Sequence, residues 1–125
     1  MRKIIGVLAI AAVLALSGCA TVTVTEAGYY WGKYSSTLYD YTKNPSDETV
    51  AAHVEELENI ITESAERELR VPPGVHAELG YIRAKQGDGA TAMAHYESEM
   101  ALYPESRLFL ERVVASSQTE EQEDD

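Results

Sequence analysis

Pro72 and Pro73 stand side by side past the middle of the 125-residue chain. Neither carries the backbone N–H that continues a helix, and each restricts the residue before it. Helices on the two sides must therefore be separate elements packed against one another. Both sides carry a helical period. Ahead of the prolines, Val50, Val54, Leu57, Ile61 and Leu69 form a stripe that predicts a helix to about Arg70. Behind them, Met93, Tyr96, Met100 and Tyr103 fall at i, i+3, i+7 and i+10 and read as core. The alternating run Thr21 to Thr25 has no second strand or hairpin signal beside it, and reads as an extended tether. The expected fold is all-α, about five helices in antiparallel hairpins forming a compact right-handed array.

Local chemistry bounds the helices. Asn44 is positioned as an N-cap with Pro45 in the first helical place, and Asp47 and Glu48 then suit the positive end of the helix dipole. Glu55, Glu56, Glu58, Glu63 and Glu66 mostly line the opposite, solvated side. Ser106 can cap a last helix in which Leu110, Val113 and Val114 face inward. The stretch 28–42 holds the single Trp and five of the eight tyrosines. Trp31, Tyr34, Leu38 and Tyr41 share one helical face, which serves either as core or as an aromatic groove for a peptide or sugar. Tyr29, Tyr30 and Tyr39 lie partly off that stripe and are the candidate partner-binding residues.

The span from Pro73 to Ser106 has the 34-residue length of a tetratricopeptide repeat and resembles one in detail. Leu79 and Gly80 stand at that family's Leu-Gly pair, Gly87 and Asp88 at its inter-helix turn, and Pro104 at its terminal proline. Ala92 and Tyr96 match its small and aromatic positions. Small Gly80 and Ala92 let two helices approach closely, Gly87 suits a positive φ, and Asp88 can cap the next helix. Three positions depart from the pattern. His76 replaces a large apolar residue, Arg83 an aromatic, and Glu99 an alanine. A single repeat cannot bury its own face, so the aromatic and acidic helices before it and a last helix after it must close the stack.

The N-terminus locates the chain. Arg2 and Lys3 precede an apolar run from Ile4 to Leu16, which is of signal-peptide length and too short to span a bilayer comfortably. Leu16, Ser17, Gly18 and Cys19 then resemble a bacterial lipobox. That resemblance implies cleavage before Cys19 and lipid attachment to it, and several acyl chains give stable anchoring. Ala20 stands where an aspartate often marks retention in the inner membrane, so for a Gram-negative source the outer membrane is implied. The expected organisation is a signal peptide at 1–18, a lipidated tether at 19–27, a helical domain at 28–115 and an acidic, disordered tail at 116–125.

Net charge is −11, which disfavours nucleic acid and anionic lipid surfaces alike. The single cysteine permits no internal disulfide. His53, His76 and His95 sit in no metal-ligand motif, although His76 and His95 can approach across the hairpin. No serine lies in a nucleophile elbow, and Gly87, Asp88 and Gly89 read as a helix turn rather than a phosphate loop. No cofactor, metal or catalytic set is expected.

Residues 19–110 also resemble a family of small bacterial outer-membrane lipoproteins. The carrying residues are Tyr30, Trp31 and Gly32; Tyr39; Pro72, Pro73 and Gly74; the run His76 to Gly80; and Tyr103 to Ser106. Such chains are often encoded beside a lipoprotein similar to the curli secretion channel, which implies membership of an envelope complex. The expected function is a lipid-anchored adaptor that binds other envelope proteins, with the membrane contacted through lipid at Cys19. The alternative is a periplasmic peptide or glycan binder using the aromatic cluster.

Overall fold

The computed structural model describes residues 28–123. The expected signal peptide, the expected lipidation at Cys19 and the expected tether lie outside the described residues. Within them the fold is all-α, as expected. Five α-helices follow in order: α1 (Tyr34–Lys43), α2 (Asp47–Glu66), α3 (Val75–Lys85), α4 (Gly89–Leu102) and α5 (Arg107–Glu123). A single 3-10 turn, Pro104–Ser106, leads into α5.

The α2 N-terminus corrects the expected cap. Asn44 closes α1, donating its N–H to Asp40 O at 3.0 Å, and Pro45 lies outside both helices. Ser46 caps α2 instead. Its hydroxyl accepts from Thr49 N–H at 3.2 Å, while Thr49 Oγ1 accepts from Ser46 N–H at 3.0 Å. This reciprocal box satisfies two donors that the first helical turn leaves free, which Asn44 alone could not do.

Helix α2 ends at Glu66 rather than near Arg70, because the chain enters a Schellman turn. Glu68 N–H reaches Ala65 O at 3.1 Å and Leu69 N–H reaches Ser64 O at 2.8 Å, with Glu68 in the left-handed region at φ 55°. The same motif closes α3, where Gly87 takes the left-handed place at φ 82° and Asp88 N–H reaches Arg83 O at 3.0 Å. Asp88 then caps α4 by accepting from Thr91 N–H at 3.1 Å, and the Thr91 side chain, with this backbone hydrogen bond second, holds its carboxyl below the usual range. Both expectations for the turn are met.

Two apolar clusters flank α3. Val54, Leu57 and Ile60 of α2 pack with Val75, Leu79 and Ile82 of α3, all buried. Each contributes roughly 1.5–3 kcal/mol from side-chain burial. On the other side Ala92 and Tyr96 of α4 pack with Leu110 of α5, against Ala77, Ala84, Met100, Val113 and Val114. The inward face expected for the last helix is therefore present. Ser106 does not cap it, since its hydroxyl donates back to Tyr103 O at 2.7 Å. Helix α5 continues to Glu123, well into the stretch expected to be a tail.

Other expectations change. Trp31 precedes α1 rather than lying on its inward face, and no α1 residue is fully buried. Aliphatic side chains of α2 and α3 build the first core, with Tyr30 and Tyr34 packed at its margin. On α4, Tyr96 and the capping Tyr103 are buried, Met100 is half-buried, and Met93 is exposed.

Candidate functional site

Helix α1 presents two unlike faces. Tyr34, Thr37, Leu38 and Tyr41 turn toward the body of the protein and are half-buried, while Tyr39 is exposed with Lys43 Nζ 5.2 Å from its ring centre. Tyr29 and Trp31, before the helix, are each 41% exposed and meet edge to face at 6.4 Å. Trp31 in turn lies 5.2 Å from Tyr34. Tyr30 is half-buried, with the Arg67 guanidinium 4.4 Å above its ring. The structure thus splits the three candidate tyrosines. Tyr29 joins an exposed aromatic edge, Tyr30 serves the core margin, and Tyr39 faces solvent from the far side of α1.

Behind that edge lies a polar network that the sequence analysis missed. His53 of α2 is fully buried, between Tyr34 at 5.6 Å and Tyr41 stacked at 5.8 Å. Its Nε2 lies 2.9 Å from Glu78 Oε1 of α3, and its Nδ1 lies 2.8 Å from Thr37 Oγ1 of α1. Tyr34 completes the set, donating its phenol to Glu78 Oε2 at 2.7 Å. Burial, reinforced by that carboxylate, pushes the Tyr34 hydroxyl up to about 12. The order hydroxyl, imidazole, carboxylate is that of an activated nucleophile. The setting is structural, however. Thr37 Oγ1 also lies within hydrogen-bonding distance of Lys33 O and Tyr34 O of its own helix, and the imidazole is closed to solvent. The network ties α1 to α2 and α3 while satisfying every member. One sequence signal pointed to it: His53 sits three residues after Val50, on the apolar stripe of α2.

Two further histidines meet as anticipated. His76 Nδ1 and His95 Nδ1 are 3.0 Å apart across α3 and α4. Burial, with the neighbouring His95 second, pushes His76 down to about 4, and burial also lowers His95. The rings are neutral at pH 7.

A groove lies between the α3–α4 hairpin and α5. It consists of two adjoining hollows, of about 590 and 310 Å³, that share Tyr81, Tyr96 and Val113 as walls. Met93 borders the larger and Phe109 the smaller. Tyr81 is 50% and Phe109 66% exposed, with Leu108 beside it similarly open. Both rings therefore leave much of their apolar surface open beside the hollows. Close helix packing shapes its floor. A Cβ on Gly80 would stand 2.7 Å from Tyr96 Cε1 and 3.1 Å from Ala92 O. The signal for the groove was Phe109, a large apolar residue off the inward stripe of α5 that borders the smaller hollow.

Residues 29–113 match a protein family described as Domain of unknown function (DUF4810). No curated protein and no solved structure matches the chain.

Proposed function

The chain belongs to the DUF4810 family, and we infer that it is a lipid-anchored adaptor of the bacterial cell envelope. It is held at the outer membrane through Cys19 and binds another envelope protein. The observation that carries this reading is the open groove with Tyr81, Met93 and Phe109 on its rim. Large rings beside an apolar hollow are the usual anchors of protein interfaces. Three polar clusters support a non-catalytic role, because each holds helices together, as the His76–His95 contact also does: His53 with Glu78, Arg83 with Glu58, and Glu99 with the start of α3. The tetratricopeptide-like character of Pro73 to Ser106 belongs to the same reading, and the close approach at Gly80 supports it.

Anchoring rests on the lipobox and on charge. At −11, the protein surface has no attraction for anionic lipid, so acyl chains at Cys19 supply the membrane affinity. A second reading, peptide or glycan binding, draws on the exposed pair Tyr29 and Trp31.

Crosslinking in intact cells followed by purification of the lipidated protein separates the two. Recovery of one stoichiometric protein partner supports the adaptor. Monomer alone, together with saturable quenching of Trp31 by peptidoglycan fragments, favours the binder.

A further inference from the structure

His76 and His95 play no part in the groove, and their geometry is specific. Their Nδ1 atoms are 3.0 Å apart and their ring centres 5.3 Å apart. The difference is about twice the centre-to-nitrogen radius of an imidazole, which puts both Nδ1 atoms on the line joining the rings. In the neutral pair one Nδ1–H donates and the other Nδ1 accepts. The two donor sites therefore point at each other. A tetrahedral ion needs lone pairs that converge to one side of that line, and a square-planar ion, whose trans donors can be opposed, needs two further ligands beside them. Opposed lone pairs suit linear two-coordination, the preference of the closed-shell monovalent ions Cu⁺ and Ag⁺.

The surroundings favour the same class. Among the described residues no group of three or more His, Cys, Asp and Glu side chains could hold a metal, so the further protein ligands of a structural zinc site are not supplied. The guanidinium of Arg83 lowers His95 electrostatically while Glu58, its ion-pair partner, acts in the opposite sense. Beside that guanidinium, one added positive charge costs less than two. Both imidazoles are half-buried, within reach of an entering ion.

We propose that His76 and His95 form a two-coordinate site for a soft monovalent cation, Cu⁺ or Ag⁺, bound between their Nδ1 atoms. With metal–nitrogen bonds of about 2 Å, the nitrogens must stand roughly 4 Å apart, so each ring withdraws by about half an ångström. The shared proton moves to Nε2 of the ring that carried it. No proton is released, and the site gains one unit of charge.

The test uses the full-length chain carrying Cys19→Ala, so that no thiol competes, purified in detergent with Ag⁺ as the redox-inert probe. The expected result is a single silver ion that splits the ¹⁵N resonance of Nδ1 in both histidines. Cu⁺ displaces it, equimolar Zn²⁺ does not, and His76→Gln removes the splitting at His95. The site is overturned if silver leaves both Nδ1 resonances unsplit, or if Zn²⁺ displaces it. The deciding spectrum is read on a chain with both histidines intact, so a folding defect in the variant cannot mimic the result.

Discussion

The Glu99 carboxylate, buried on α4, accepts a hydrogen bond from Gly74 N–H at 2.7 Å and so caps a helix other than its own. Its second oxygen accepts from Ala77 N–H at 3.3 Å. Gly74, at φ 92°, has no side chain with which to cap α3, and Glu99 supplies the missing acceptor together with a charge suited to a helix N-terminus. Hydrogen bonds to charged groups contribute about 1.5–3 kcal/mol each. Glu99→Ala is expected to destabilise the domain by at least ~2 kcal/mol. Glu99→Gln should cost less, because its carbonyl can still accept from Gly74. Urea unfolding of the two variants checks the order.

Glu99 also shows how far the sequence was legible. It departs from the tetratricopeptide pattern, as do His76 and Arg83, and the sequence alone does not say what replaces the usual packing there. In the structure each is a polar tie: Glu99 to α3, His76 to His95, and Arg83 to Glu58 on α2. Helix periods and turn chemistry were readable because Gly87, Asp88 and the proline pair act within a few residues. Partners separated by 25 positions, as Glu99 and Gly74 are, leave no local trace. The groove was obscured for a similar reason. Tyr81 and Phe109 come from different helices, and only packing brings them to a common hollow.

Gly80 faces Tyr96 and the backbone of Ala92 with no room for a methyl group. Gly80→Ala forces the buried Tyr96 ring or α4 itself to move, at a cost of about 1–3 kcal/mol for overpacking. A lower thermal midpoint with an unchanged helical spectrum is the expected outcome.

Glu68 occupies a left-handed position that favours glycine. Strain for a residue with a Cβ there is roughly 1–2 kcal/mol, partly offset by the entropy that glycine loses on folding. Glu68→Gly is therefore expected to stabilise the domain by up to about 1 kcal/mol, read from the urea midpoint.

Tyr34 gives the alkaline dependence its sign. Its hydroxyl titrates near 10 in the unfolded chain and is pushed up to about 12 in the folded one. The contribution is complete below the unfolded value and is lost as pH rises through the folded value, because the unfolded chain ionises first. Stability should fall between those limits. Tyr34→Phe should remove that part of the fall, at the expense of leaving Glu78 Oε2 without its phenol partner. Unfolding midpoints measured across the alkaline range test this.

Cys19 precedes the described residues 28–123, and from its proposed role as the lipid attachment point Cys19→Ser is expected to abolish lipidation and function while leaving the domain's unfolding midpoint unchanged. Membrane fractionation and complementation of a deletion strain check the prediction. Full complementation would move the adaptor off the membrane.

On the proposed adaptor reading, a partner protein docks in the groove between the α3–α4 hairpin and α5. Site-specific photocrosslinking in intact cells tests it most directly, with the photoreactive residue placed in turn at Phe109, Tyr81 and Tyr39. One discrete adduct to the same partner is expected from Phe109 and Tyr81, and none from Tyr39. An adduct from Tyr39 alone, or none from either groove position, would contradict it.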